Sequence, residues 1–493
     1  VIHSQSFIAM STRVPHKPVS QTPTLPNSQP DCAEKSSKLI LTPPLRASVR
    51  DGMANAVALG IGESYLNVFG IFLHASALQL SLLSSIPPFL GAVSQLFGVW
   101  LLRFVHSRRA IAVFGVVSQA AMWLVLASLP WLAGAGDDVA IALIILASLF
   151  QVFPSIGLPA WNSLMGDMIP ADQRGRFFGL RNRMLGICTF VGLIAGGQIL
   201  DLFRGWDDTV HGFLTIFLIA ALARSISAYF MSRYDDPPYH RVRGEYFSLR
   251  QFITGLPRSN FAKFTVFLAT INAAVAFSGP FFAVYMLRDL HMSYTEFTMV
   301  IGVAAIVQFL TMGYWGQLLD SFGAKKIMNV CGVGIALNPF MWLVDSSVPW
   351  LMFAQATGSF MWAGFNLASA NFLFDAVTPP KRARCAAYQS LVTAVFVLIA
   401  ATIGGFTATH LPSSLNIFGH LWFPVSPLVL LFAISGVIRM TAVALILPRV
   451  KEVRKVQPIK HTELAFRIVS AFPLTGFTFS VITGIWEKRG QGR

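Results

Sequence analysis

From about residue 52 the chain alternates between long apolar runs and short polar breaks. Each run is long enough to cross ~30 Å of hydrocarbon as a helix, which takes about 20 residues. The pattern predicts twelve spans, at 52–74, 80–102, 110–132, 139–161, 185–203, 212–233, 262–287, 296–319, 327–345, 349–374, 386–408 and 425–447. Gly and Pro interrupt many of them, which membrane helices tolerate where neighbours satisfy the backbone. The expected fold class is an all-α membrane protein of twelve transmembrane helices.

Polar stretches divide the chain. Residues 1–50 are rich in Ser, Thr and Pro and lack an apolar core of signal-peptide length. They are expected to form a disordered cytoplasmic tail. Residues 234–260, with Asp235-Asp236-Pro237-Pro238, are the long central connection, expected to be cytoplasmic. They separate a first six-helix half at 51–233 from a second at 261–447. Residues 448–493 form a basic tail, in which Phe466, Val469, Phe472, Phe477, Val481 and Ile485 make a roughly helical apolar stripe. Arg467 and Pro473 interrupt that stripe, so 464–485 is expected to lie in the membrane interface rather than cross it.

Composition excludes several classes. Hydrophobic residues make up 54% and charged residues only 12%, against about 25% charged in a soluble globular chain. The net charge of +15 is spread in short clusters between apolar runs. That is the pattern of loops at an anionic cytoplasmic surface, not of a nucleic-acid-binding patch. Cys32, Cys188, Cys331 and Cys385 share no metal or redox spacing, and no disulfide framework is implied. No metal cluster, phosphate loop, nucleophile triad or nucleotide-binding domain is present in the sequence, so neither an enzyme, a cofactor nor an ATP-driven pump is expected.

Lys and Arg set the orientation. With the N-terminus inside, the outer connections hold only Arg204 and Arg288, whereas Asp137, Asp138, Asp207 and Asp208 lie there. The inner segments carry Arg103, Arg108, Arg109, Arg174, Arg176, Arg181, Arg183, Lys325, Lys326, Lys381, Arg382 and Arg384. Both termini are therefore expected in the cytoplasm of a multi-pass inner-membrane protein.

The halves repeat one another. Span four ends Asp167-Met-Ile-Pro-Ala-Asp-Gln-Arg174-Gly-Arg176, and span ten ends Asp375-Ala-Val-Thr-Pro-Pro-Lys-Arg382-Ala-Arg384. Phe217 and Arg224 in span six match Phe432 and Arg439 in span twelve. Arg103 to Arg109 matches Asp320 to Lys326. A parallel six-helix repeat is a transporter architecture.

The segment Gly316-Gln-Leu-Leu-Asp320-Ser-Phe-Gly323-Ala-Lys325-Lys326 resembles the loop signature of the major facilitator superfamily. The Asp-x6-Arg ends of spans four and ten resemble that family's companion motif. The resemblance covers about residues 51–450. In the first-half copy Arg103 stands where the family usually has Asp, and His106 where it has Gly. The resemblance implies a secondary transporter of a small solute, working by alternating access. Gly316 would let helices approach closely, and Asp320 could accept hydrogen bonds from the start of a helix in the other half.

The same resemblance implies a cavity lined by spans one, four, seven and ten. Span ten carries Gln355, Ser359, Trp362, Asn366 and Ser369 on one helical face. Span four offers Ser148, Gln151 and Ser155; span seven offers Asn272 and Tyr285. Helix–helix hydrogen bonding is the competing use of such residues. Glu63 lies deepest of the acids, about eleven residues or roughly 16 Å into span one. A carboxylate there is costly and by default functional. It is read as a proton carrier or substrate contact, or as the ion-pair partner of Arg224 at similar depth. The expected partners are a small-molecule substrate, protons and the bilayer, with no nucleic acid, and the protein is expected to be monomeric. A passive facilitator and a non-transporting sensor or scaffold remain open.

Overall fold

A computed structural model describes residues 42–453, apart from 103, 106, 133–136, 170–173, 238–258, 378, 413–414, 418–419 and 423–424. The expected tail helix at 464–485 lies outside the described residues. The first span begins at Pro43, nine residues before its apolar run. Pro43 and Pro44 fix the backbone of the first turn, where an N–H would lack a partner in any case. The helix runs to Ile61, breaks at Gly62, passes through a 3-10 turn Glu63–Tyr65 and resumes at Leu66–Phe72.

Eleven further helices follow: Ala77–Leu101, Arg108–Leu132, Asp137–Met168, Arg174–Gly205 and Thr209–Met231 complete the first half. Asn260–Val284, Tyr294–Phe322, Ala324–Met341, Val348–Ala376, Pro379–Thr409 and Leu428–Leu445 make the second. Spans five and eleven start earlier than expected, because their Arg-rich first turns are helical without being apolar. A short antiparallel hairpin, Leu415–Ile417 with His420–Trp422, is added between spans eleven and twelve.

Among the described residues, nine helices are long and apolar enough to cross a membrane. Spans one, nine and ten fall short of that measure: the first is divided by its turn, the ninth carries Lys325 and Lys326, and the tenth carries Gln355 and Asn366. Large apolar side chains such as Phe114, Leu222 and Ile403 stand exposed on the outside of the bundle. A bilayer accounts for them where water would not. The chain is a multi-pass membrane protein.

The repeat is visible in the packing. In the first half, span one packs on five and six, span two on four, and span three on four and six. In the second, seven packs on eleven and twelve, eight on ten, and nine on ten and twelve. Spans two and eight even start with the same capping box, Ser76 with Gln79 and Ser293 with Glu296.

The halves meet through spans two with eleven and five with eight. We call the end at which residue 42 begins the near end, and the opposite one the far end. One apolar core includes Phe69, Trp123 and Phe217 of the first half together with Phe281, Trp342 and Phe432 of the second. It lies toward the far end. A separate core, with Phe264, Trp315, Phe322 and Phe372, belongs to the near-end part of the second half alone.

Candidate functional site

Early helix entry at Pro43 turns Asp51 into an intrahelical acid, two turns inside span one and buried. Ser48, Asp51 and Asn55 recur at steps of three and four, so they share a helical face. Spans three, five and six bring Gln119, Arg181, Arg224 and Ser227 to that face. Arg224 donates from Nε to Gln119 Oε1 at 2.6 Å, and from Nη1 to Asn55 Oδ1 at 2.5 Å and Ser227 Oγ at 3.0 Å. Ser227 and Tyr234 donate to the two oxygens of Asp51, at 2.5 and 2.7 Å. Arg181 Nη2 lies 3.9 Å from Asp51 Oδ2 and its guanidinium 5.0 Å above the Trp161 ring. A cleft of about 250 Å³ reaches these groups, lined by Asp51, Asn55, Trp161, Arg181 and Arg224 among others.

Glu63 has a different setting. It opens the 3-10 turn in the break of span one and is partly exposed. Among the described residues it makes no hydrogen bond and no ion pair at contact distance, although the Arg224 guanidinium is near enough to attract its carboxylate. Arg224 and Arg439 are both buried within the bundle rather than extended to its edge.

The proposed cavity residues divide. Asn366 is exposed, and Gln355 and Trp362 are partly so. Gln151 faces span two, where a Cβ on Gly91 would lie 3.1 Å from its side chain. Asn272 donates to Leu268 O of its own helix at 2.8 Å. Tyr285 is buried between Trp342 and Phe432, with ring centroids 6.4 and 5.7 Å away, and belongs to the core.

The loop motifs act as anchors at the near end. Arg108 bridges Asp167 at 2.6 Å, and donates to Ser163 at 2.7 Å and Pro237 O at 2.9 Å. Ser107 donates to Asp236 at 2.6 Å, and Arg109 to Tyr234 O at 2.8 Å. In the second half the Lys325 N–H donates to Glu452 at 2.8 Å, and Asn260 exchanges two bonds with Lys451. Each half thus ties the loop after its second helix to the chain leaving its sixth. Gly323 ends span eight with φ of 82°, a backbone state that favours glycine. Lys326 follows in the first turn of span nine, and Asp375 is half-buried near the end of span ten. The side chains of Asp320, Arg174, Arg176, Arg382 and Arg384 lie outside the described residues.

Spans five and eight converge at the far end. A Cβ on Gly197 would lie 2.3 Å from Thr298 Oγ1, and one on Gly302 3.2 Å from Phe190. Toward the near end the same helices show Gly179, Gly186, Gly313 and Gly316, where a Cβ would meet nothing within 4 Å among the described residues. Among the described residues, nothing makes the close approach expected at Gly316. Sequence reasoning missed Asp51, Asn55 and Gln119, although the Pro-Pro helix start and the i, i+4 pair Asp51–Asn55 were signals for the first two.

Two six-helix halves related by a parallel repeat and in close contact at the far end define a transporter fold. Known proteins agree with that class. The family profile described as Major Facilitator Superfamily matches residues 51–282 and again 259–486. The chain belongs to the major facilitator superfamily, a family of transporters rather than enzymes. The nucleoside transporter NupG superposes with a TM-score of 0.63 at 11% identity, covering 83% of this chain and 99% of that one. A POT family transporter in complex with 5-aminolevulinic acid gives 0.60 at 12%, covering 83% and 96%. A bacterial homologue of the iron transporter ferroportin, in an inward-facing state, gives 0.60 at 13%, covering 83% and 98%. At such identities the likeness concerns the fold. No curated protein sequence matches the chain.

Proposed function

We propose that the chain is a secondary transporter of a small solute, proton-coupled and working by alternating access as a monomer in the inner membrane. The observation that carries this reading is the pair of spans five and eight, in contact at Gly197, whereas toward the near end nothing among the described residues approaches Gly316. A rocking motion about such a contact would open one end as it shuts the other. The basic loops put the near end in the cytoplasm, so this conformation is the inward-open one.

Coupling is assigned to Glu63. It sits at the one break in span one, partly exposed and unpaired among the described residues, where a proton could come and go. Asp51 and Arg224 form the fixed charges behind it. Asn366, Gln355 and Trp362 are the substrate contacts on the opposing half.

Purified protein is screened by thermal shift against sugars, amino acids, organic acids, nucleosides, 5-aminolevulinic acid and ferrous iron. Hits are then followed by uptake into liposomes with and without an imposed pH gradient. Accumulation that collapses with a protonophore supports the reading. Uptake that only equilibrates makes the protein a passive facilitator. Ligand binding without flux makes it a sensor.

A further inference from the structure

The far-end contact contains more than close packing. Asp201, near the end of span five, accepts at its two carboxylate oxygens from the backbone N–H groups of Tyr294 and Thr295, at 2.8 and 2.6 Å. These are the first two residues of span eight, a helix of 29 residues. The first N–H groups of a helix have no partner within it, and a negative charge there also meets the positive end of the helix dipole. The third N–H, of Glu296, is taken by Ser293 Oγ at 3.1 Å. A helix of the second half is therefore capped partly by its own loop and partly by an acid of the first half.

A second set of bonds lies beside the cap. Tyr65 is fully buried and donates to Leu193 O at 2.6 Å, while its hydroxyl lies 2.9 Å from Thr298 Oγ1. Gly196 and Gly197 make room for both, since a Cβ on Gly196 would lie 2.5 Å from the Tyr65 ring. Arg204, one turn beyond Asp201, lies 5.8 Å from the Tyr294 ring. Every one of the cross-half bonds is lost if the far ends of spans five and eight separate.

We propose that Asp201, with Tyr65 and Thr298 as its second bolt, is a latch that holds the far end shut. The inference rests on the alternating-access reading. It adds a physical link to it as well: Tyr65 stands two residues after Glu63 on the same 3-10 turn. Movement of that turn is transmitted directly to the bolt.

Spin-label distances test the latch in the full chain, made free of its natural cysteines and placed in nanodiscs. Labels at Trp206 and Val344 report the far end; labels at Arg233 and Val453 report the near end. All four positions are exposed. Asp201→Asn keeps the size but loses the charge and one acceptor. It should raise the ratio of far-end-open to far-end-closed molecules about tenfold, as befits loss of a charge-assisted pair of bonds. Tyr65→Phe and Thr298→Val should move the populations the same way by less, and they stand in if Asp201→Asn does not fold. Variants with lower melting temperatures but unchanged populations would reduce Asp201 to a structural cap and overturn the latch alone. A wild-type protein with one fixed distance at each end, whatever the pH or ligand, would overturn alternating access and the latch together.

Discussion

Arg224 and Arg439 occupy matching places in the two halves, yet their surroundings differ in kind. Arg224 donates to Gln119, Asn55 and Ser227, and Asp51 stands behind them as counter-charge. Arg439 is equally buried, but it donates only to Ile335 O at 3.2 Å, and its Nε has no partner among the described residues. At the offset relating the two arginines, Asp51 becomes Val266, Asn55 becomes Thr270, Glu63 becomes Ser278 and Ser227 becomes Ala442. The repeat has kept the scaffold and one cation while removing every acid around it. Charge chemistry in this molecule is thus concentrated in the first half. The second half contributes the uncharged polar face of span ten.

The largest effect that would sharpen this contrast is at Asp51. Asp51→Asn should cost about 3–5 kcal/mol of stability, because it removes the principal counter-charge of buried Arg224 and Arg181. Melting temperature in detergent is the readout, and the double variant Asp51→Asn with Arg224→Gln should recover most of the loss. A single variant as stable as wild type would break the claim that the first half is organised around a charge pair.

Arg439 should respond with the opposite sign. Arg439→Met removes a buried cation that has no acid near it among the described residues, and the protein should gain on the order of 1 kcal/mol. Arg224→Met, by contrast, should destabilise. If Arg439→Met instead lowers the melting temperature as much as Arg224→Met, the second-half arginine has a counter-charge of its own and the asymmetry disappears.

A smaller effect concerns what the halves share. Asp236→Asn and Glu452→Gln each weaken one anchor between a loop and the chain leaving a six-helix half. Each should cost about 1 kcal/mol, the ordinary worth of one hydrogen bond. The two losses should be similar and additive, since the anchors lie in different halves. Chemical denaturation of the two single variants and the double variant decides it.

These comparisons also show where a sequence speaks and where it is silent. Hydropathy finds the twelve spans and the six-plus-six division, because lipid imposes length and apolarity on each helix. The repeated loop motifs were legible and suggested a gate toward the other half; their anchoring to Asp236 and Glu452 appears only in the fold. Asp51 was not, since the turn Pro43 to Arg50 is helical without being apolar, and an acid at its end reads as a loop charge. Gln119 needed the fold, for only packing brings span three to Arg224. The opposite case is Tyr285, whose hydroxyl suggested a cavity but whose ring fills the core between Trp342 and Phe432. The Asp201 cap has no local signature either, because its partners are backbone N–H groups 93 and 94 residues away.

The smallest change in stability is expected at Glu63, and it is the most telling for function. Glu63 has no bonded partner among the described residues, so Glu63→Gln breaks no contact, weakens only the attraction to Arg224, and should shift stability by less than about 0.5 kcal/mol. It does remove the one carboxyl group placed at the break in span one. A fixed amide imitates the protonated acid, so the cycle of opening and closing can continue and exchange of substrate down a gradient should persist. Accumulation driven by an imposed pH gradient should vanish, because no proton is then carried with the solute. The two flux assays in liposomes, run beside melting curves, separate this outcome from its rivals. A stable variant with normal pH-driven accumulation would move coupling to another group, with Asp51 the next to test. A variant that loses several kcal/mol would mean that Glu63 is paired with Arg224 in another stage of the cycle, and Arg224→Gln should then rescue it.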